Sequence, residues 1–122
     1  MRTLLWLCGV LAAAPVLVLA QQATAGTEVP GDPAAARQQV LIRMVRQDCG
    51  SCHGMRLTGG LGPPLTREAL ADRPLDVLVA SIIHGRAGTP MPGWKTLLSE
   101  ADAGWIARQL HAGFPQQTDA LR

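Results

Sequence analysis

Residues 48–54 read DCGSCHG, and they contain the only two cysteines outside the first ten residues. Cys49 and Cys52 are followed directly by His53. A disulfide between the two cysteines is compatible with an exported protein. A dithiol redox pair usually lies at the start of a helix that follows a strand, and no strand pattern is present. A structural zinc site needs four ligands, and only distant histidines could complete one.

The spacing Cys-x-x-Cys-His is the attachment signature of c-type haem. Cysteines at positions i and i+3 lie on one side of a helical turn, so both sulfurs can bond the two vinyl groups of one porphyrin. His53 lies on the same side, and its imidazole can reach the iron. Gly50 and Gly54 let the backbone approach the ring closely. The stretch predicts one haem c, covalently bound through Cys49 and Cys52, with His53 as an iron ligand.

A second iron ligand is predicted from the stretch GTPMPGW, residues 88–94. Met91 lies between Pro90, whose φ is fixed, and Pro92, which biases the preceding residue toward an extended backbone. The result is a stiff segment that presents one thioether. Met91 is therefore the predicted axial ligand on the face of the haem opposite the imidazole.

Four other side chains compete with Met91 for this role. Met55 follows the haem motif too closely and is tethered to the face of the histidine, and Met44 is expected to fill the core of the first helix. His84, at the end of a predicted helix, would give a bis-histidine centre of low potential. Histidines at such positions more often cap the helix or face solvent, and His111 on the last helix is a weaker candidate still.

The remaining sequence predicts helices joined by loops rich in glycine and proline. Asp32 and Pro33 predict the start of the first helix, which runs into the haem motif, and Thr66 predicts a short helix. Ser99 and Asp102 form a capping-box pattern before the last helix. The predicted apolar faces are Val40, Leu41, Met44 and Val45; Leu75, Leu78, Val79 and Ile82 on a helix that opens at Pro74 and ends before Gly85; and Trp105, Ile106 and Leu110 before Gly113. The fold class is all-α.

The first 20 residues have the features of a secretory signal peptide. Arg2 provides a positive start, an apolar run follows, and small residues ending at Ala20 suit cleavage. Cleavage after Ala25 and an uncleaved membrane anchor are the alternatives, although the run is shorter than the roughly 20 residues of a membrane span. The protein is therefore expected to be exported, without stable membrane association after cleavage.

Charge and composition narrow the function further. The net charge is +2, and no block of basic residues indicates nucleic acid as a partner. The chain has one Phe, no Tyr and three Trp, of which Trp6 lies in the predicted signal peptide. So few large apolar side chains favour a bound prosthetic group that completes the core.

The stretches CGSCH, GLGPPL and GTPMPGW together resemble the small class I cytochromes c of bacteria. The resemblance covers most of residues 35–113, and it is greatest to the NirC-like group, which are small periplasmic cytochromes encoded with the haem-d-containing nitrite reductase of denitrifiers. It implies the class I cytochrome c fold, with three main helices and a short one wrapped around one covalently bound haem. The cytochrome c domain would span 33–114, between a flexible leader at 21–32 and a tail at 115–122.

The resemblance also implies roles for other residues. The carbonyl of Pro63 would accept a hydrogen bond from His53 and so fix the orientation of the ring. Arg86 and Trp94 are candidates to bind a haem propionate, although Trp94 could equally pack on the haem edge. Many relatives carry asparagine at the position of His84, which leaves a pH-dependent or ligand-switching role open for this histidine.

The expected function is periplasmic electron transfer by a monohaem cytochrome c, and not enzyme catalysis. Upstream periplasmic or membrane donors would supply the electrons, and a respiratory nitrite reductase would receive them. Two alternatives remain open. The protein could serve in maturation of the haem d of the reductase, or it could act as a haem-based peroxidase or sensor if the bond to Met91 is labile.

Overall fold

The computed structural model describes residues 31–114, so the predicted signal peptide, the tail and nearly all of the leader lie outside the described residues. The helices are α1 (Ala35–Met44), α2 (Gly50–His53), α3 (Arg67–Leu70), α4 (Leu75–His84) and α5 (Glu100–Ala112), and a π-helical segment (Val45–Cys49) joins α1 to α2. Between residues 31 and 114 there is no strand, which confirms the all-α class. No helix in this part of the chain is long and apolar enough to cross a membrane.

The predicted capping residues of α3 and α5 are present. The hydroxyl of Thr66 accepts a hydrogen bond from the backbone N–H of Ala69 at 3.3 Å. Ser99 and Asp102 form a reciprocal capping box, in which each side chain accepts from the backbone N–H of the other. Gly113 ends α5 with a φ of 86°, a backbone conformation that suits glycine.

The predicted start of the first helix is wrong by two residues. Helix α1 begins at Ala35 after Ala34, and its first turn receives no side-chain cap. The carboxylate of Asp32 pairs instead with the guanidinium of Arg108 on α5, 76 residues away. The local pattern predicted that Asp32 caps the first helix, but its carboxylate forms an ion pair with Arg108 instead.

Helix α5 contributes the largest share of the buried apolar side chains of the core. The other helical segments and the loops contribute the rest. Leu41, Val45 and Ile106 are the largest fully buried side chains. The full set of buried apolar residues is Leu41, Val45, Leu57, Leu70, Ile83, Leu98, Ala103, Trp105, Ile106, Ala107, Leu110 and Phe114. On α4 the prediction needs correction, because Leu75 is 41% exposed whereas Ile83, which was not in the predicted face, is buried. Val40, which was predicted to lie on the apolar face of the first helix, is 37% exposed.

An ion pair fixes α1 against the start of α5. The guanidinium of Arg37 donates two hydrogen bonds to the carboxylate of Asp102, at 3.2 Å and 2.9 Å, and a third to the carbonyl of Leu97 at 3.0 Å. The hydrogen bonds from Arg37 lower the pKa of Asp102, and the bonds from Ser99 add to this effect, although burial opposes it. The acidic member of the capping box thus also holds the two long helices together.

Candidate haem site

The two cysteines of the motif lie on consecutive turns of the helical segment that starts at Ala35. Cys49 ends the π-helical segment and is partly buried against the core, while Cys52 lies in α2 and is exposed. Both thiols are free, so the structure does not support the disulfide. Burial raises the pKa of the Cys49 thiol to about 11, and the neighbouring charge of Asp48 raises it further. This sulfur is therefore uncharged at neutral pH.

His53 ends α2 and is buried, with 8% of the residue exposed. Nδ1 of the imidazole donates a hydrogen bond to the carbonyl oxygen of Pro63 at 2.7 Å. Because a carbonyl can only accept, the proton of the neutral ring lies on Nδ1 and the lone pair on Nε2. Nε2 is thus the nitrogen that can bind a metal, and the hydrogen bond to the Pro63 carbonyl fixes the orientation of the ring.

The loop at 54–65 closes tightly over the motif. The N–H of Gly59 donates to the carbonyl of His53 at 2.9 Å, and the N–H of Gly62 donates to the carbonyl of Cys52 at 2.8 Å. A Cβ atom on Gly62 would lie 2.7 Å from Cε1 of the imidazole, and one on Gly60 would lie 2.8 Å from the carbonyl oxygen of Cys52. A side chain at either position would therefore force the imidazole or the loop backbone to move.

The glycines of this loop are functional residues that the sequence-based prediction missed. The glycines and prolines of residues 54–65 predicted a loop, and GLGPPL contributed to the family resemblance, but no contact of Gly60 or Gly62 with the haem motif was predicted. The available signal was the high glycine content so close to the motif, since glycine permits a close approach of backbone to another group. Leu57, in the same loop, is the only described non-glycine residue with a positive φ, at 59°, and its buried side chain anchors the loop in the core.

Residues 85–94, here named the Met91 strap, are held against the end of α4. The N–H of Arg86 donates to the carbonyl of Met91 at 3.2 Å, and the N–H of Trp94 donates to the carbonyl of Ile82 at 3.0 Å. A Cβ atom on Gly85 would lie 2.6 Å from the carbonyl oxygen of Met91. The strap therefore crosses the helix end at backbone contact distance, and the Met91 side chain is partly buried.

The other candidate residues lie in different settings. Arg86 is exposed, and Trp94 packs against the hydrophobic core. His84 is exposed at the end of α4. Met55 is 67% exposed. His111, on α5, is partly buried, and its Nε2 is buried without a hydrogen-bond partner within the described part of the chain.

Met44 packs against the core cluster, as a core-filling residue does. Among residues 31–114 no group of three or more His, Cys, Asp or Glu side chains could hold a metal ion, so the zinc interpretation finds no support there. The donor chemistry fits haem c, because two free thiols stand three residues apart beside an imidazole that is oriented by a backbone carbonyl and closely approached by Gly62. An all-α domain with this site defines the class of c-type cytochromes.

The comparisons with known proteins agree with this class. A family model described as Cytochrome C oxidase, cbb3-type, subunit III, matches residues 34–108. Cytochrome c55X from Stutzerimonas stutzeri is 57% identical over 84 residues, which cover 69% of this chain and 74% of that protein. The solved structure of the c-type cytochrome NirC superimposes with a TM-score of 0.65 at 56% identity, over 66% of this chain and 94% of the other. The structure of dihydro-heme d1 dehydrogenase NirN in complex with DHE superimposes with a TM-score of 0.56 at 34% identity, over 61% of this chain and 16% of the other.

The chain belongs to the cytochrome c family, in the group that contains cytochrome c55X and NirC. Its fold is the all-α cytochrome c fold, and its cofactor is covalently bound haem c. It is accordingly a haem c electron-transfer protein.

Proposed function

We propose that this protein is a periplasmic monohaem carrier that delivers electrons to the haem-d-containing nitrite reductase of denitrification. In this proposal Cys49 and Cys52 bond the haem through thioethers, and His53 and Met91 ligate its iron. The hydrogen bond of 2.7 Å between His53 and the carbonyl of Pro63 carries the proposal, because it leaves Nε2 as the metal-binding nitrogen. The relationship to cytochrome c55X and NirC supports the role of a carrier.

When bound, haem supplies the one-electron couple of its iron. The contribution of the chain is to keep both ligands in place. The carbonyl of Pro63 and the closely packed Gly62 fix the imidazole of His53, while backbone hydrogen bonds to the end of α4 fix the Met91 strap. Ligands held in this way change little in geometry between oxidation states. Transfer can then proceed through a small, short-lived interface with each partner, without acid–base chemistry or an open coordination position.

The visible spectrum of the oxidised protein tests the ligand set. Methionine bound to ferric haem gives a weak far-red band, so we expect this band in the wild type and its loss in Met91→Ala. Met55→Ala is the matched control, since this exposed methionine should leave the band unchanged. A wild type without the band contradicts the assignment. Binding of carbon monoxide to the reduced wild type would favour the peroxidase or sensor function instead.

Export is tested by the mature N-terminus. Cleavage after Ala20 predicts that haem-containing protein from the periplasm begins at Gln21, and cleavage after Ala25 predicts Gly26. N-terminal sequencing or intact mass distinguishes these two products. Full-length protein in the membrane fraction would contradict the proposed location and support the uncleaved anchor.

The proposed partner can be tested directly with purified proteins. Reduced carrier is mixed with oxidised nitrite reductase in a stopped-flow instrument, and the loss of its reduced spectrum is followed. We expect rapid oxidation by the reductase and sustained nitrite turnover when a donor re-reduces the carrier. No oxidation above the rate in buffer would rule the reductase out as the acceptor.

A second candidate function is a role in maturation of haem d. The likeness to dihydro-heme d1 dehydrogenase favours it, because this chain matches a segment of an enzyme whose name refers to that haem. A deletion strain separates the two functions. Loss of electron delivery leaves nitrite reductase fully loaded with haem d, whereas loss of maturation leaves the reductase without it.

A further inference from the structure

The Met91 strap contains one hydroxyl, that of Thr89, and it bonds to the backbone of both Arg86 and Met91. Oγ1 of Thr89 donates a hydrogen bond to the carbonyl of Arg86 at 2.8 Å. The same oxygen accepts a hydrogen bond from the backbone N–H of Met91 at 3.3 Å. A hydroxyl has one proton and two lone pairs, so it can make both bonds at once. Thr89 thus connects the first residue after the glycine turn to the methionine.

Proline makes this bond important for the backbone of Met91. Pro90 and Pro92 have no N–H, so Met91 supplies the only backbone donor between residues 90 and 92. That donor is bonded to Thr89, and the carbonyl of Met91 accepts from the N–H of Arg86 at 3.2 Å. The hydroxyl therefore completes the fixation of the peptide groups on both sides of the Met91 Cα atom.

The backbone N–H of Thr89 also donates to the carbonyl of Arg86, at 3.1 Å. Loss of the hydroxyl would leave this turn and the bond from Arg86 to the carbonyl of Met91 in place. Only the bond to the N–H of Met91 and one of the two bonds to the Arg86 carbonyl would be lost. The expected consequence is freer movement of the methionine within a strap that still folds.

From these contacts we propose that Thr89 is a positioning residue whose hydroxyl keeps the Met91 thioether on the haem iron. The inference rests on the proposed function, in which Met91 is the axial ligand. Thr89 itself touches neither the iron nor the partner in this proposal. The Thr89 hydroxyl determines how readily the Met91 sulfur leaves the iron, so that another ligand can bind there.

The test measures how easily imidazole from solution displaces the methionine in the ferric holoprotein. Thr89→Val removes the hydroxyl and keeps the shape of the side chain, and Thr89→Ser keeps the hydroxyl. For Thr89→Val we expect imidazole to bind about three- to tenfold more tightly, the effect of losing one solvent-exposed hydrogen bond. Thr89→Ser should restore the imidazole affinity toward that of the wild type.

Thr96→Val is the matched control, because this exposed threonine makes no hydrogen bond through its hydroxyl within residues 31–114. It should leave the imidazole affinity unchanged. Thr89→Ala provides a second variant without the hydroxyl and should reproduce the effect of Thr89→Val. Wild-type imidazole affinity in both hydroxyl-free variants would overturn the inference while the ligand assignment stands. A wild type that lacks the far-red band, with Met91→Ala unchanged in imidazole affinity, would overturn the proposed ligand and this inference together.

Discussion

At the scale of single residues, the haem-ligating histidine of this proposal is oriented by backbone groups and by the absence of side chains. The carbonyl of Pro63 accepts a hydrogen bond from Nδ1 of His53, and a Cβ atom on Gly62 would lie only 2.7 Å from the ring. Neither residue acts through a polar side chain. The ring orientation therefore depends on how closely the loop at 54–65 can approach α2.

Gly62→Ala should disturb the histidine directly. The added methyl group would come within 2.7 Å of Cε1 and 2.8 Å of Nδ1 of the imidazole, so the ring or the loop must move. We expect a lower yield of holoprotein, a lower melting temperature and a changed reduction potential, because the hydrogen bond to Pro63 weakens. Potentiometric titration and thermal melts of the holoprotein provide the measurements.

The control for this substitution lies in α5, outside the haem motif. A methyl group on Gly104 would meet only the end of the flexible Arg108 side chain, at 3.3 Å, and Gly104 is a helical position. Gly104→Ala should therefore leave the potential close to that of the wild type. Equal changes of potential in the two alanine variants would show that the close approach of Gly62 to the imidazole is not the cause.

At the scale of elements, the carboxylate of Asp102 links α1 to α5 and also caps α5. Asp102 completes the capping box of α5 and receives two hydrogen bonds from Arg37 on α1. The side chain of Asp102 is 9% exposed and that of Arg37 is 36% exposed, so the pair is only partly screened by solvent. The position of α1, and with it the haem motif at the end of the same helical segment, depends on this contact.

Asp102→Asn should destabilise the holoprotein by about 1–3 kcal/mol at pH 7, since it weakens charge-assisted hydrogen bonds. The pKa of Asp102 in the folded state is lowered, chiefly by the hydrogen bonds from Arg37, from an ordinary value of 3.8. Its contribution is therefore complete above that value and is lost as the pH falls through the lower folded pKa. The stability difference between wild type and variant should shrink below about pH 4 in denaturant titrations.

Asp72→Asn serves as the control for the loss of a negative charge. Asp72 is exposed, and no ion pair involves it among residues 31–114. Its substitution should change the stability by less than about 0.5 kcal/mol. A pH-independent difference between Asp102→Asn and the wild type would argue against the ionised pair as the source of the stabilisation.

At the scale of the whole molecule, the polypeptide alone encloses a small core. Six large apolar side chains of the described region remain exposed to solvent in the polypeptide, namely Val40, Met55, Leu61, Leu75, Val77 and Leu97, with Leu61 at 94%. A domain of this size has a small free energy of unfolding, and apolar surface that stays in water does not add to it. Haem c adds the apolar bulk that the sequence lacks.

Removal of both attachment points should therefore abolish cooperative folding. In a host that attaches haem c, Cys49→Ala combined with Cys52→Ala should yield protein without bound haem and without a sharp thermal transition in circular dichroism. Ser51→Ala, between the two cysteines, keeps the attachment motif and should bind haem and melt cooperatively. A double variant that unfolds as sharply as the holoprotein would show that the polypeptide completes its core unaided.

Local order was predictable from the sequence because it depends on residues a few positions apart. The haem motif, the N-cap of α3, the capping box of α5 and the helix-ending glycines all act over one or two turns, and each is present in the structure. The same holds for the apolar face of α5, where Trp105, Ile106 and Leu110 are buried. Such patterns need no knowledge of the remaining chain.

Contacts between distant residues were decided only by the tertiary structure. The sequence could not show that Asp32 would pair with Arg108 or Arg37 with Asp102, since several charges of each sign were available. Nor could it show that Gly62 would lie against the imidazole of His53. The sequence by itself determined the helices, most of their ends and the covalent chemistry of the motif, because these follow from local spacing, although α1 begins two residues later than its local signals predict. Tertiary packing determined which backbone groups and charges hold the segments that carry His53 and Met91, because partners far apart in sequence are selected only when the chain is folded.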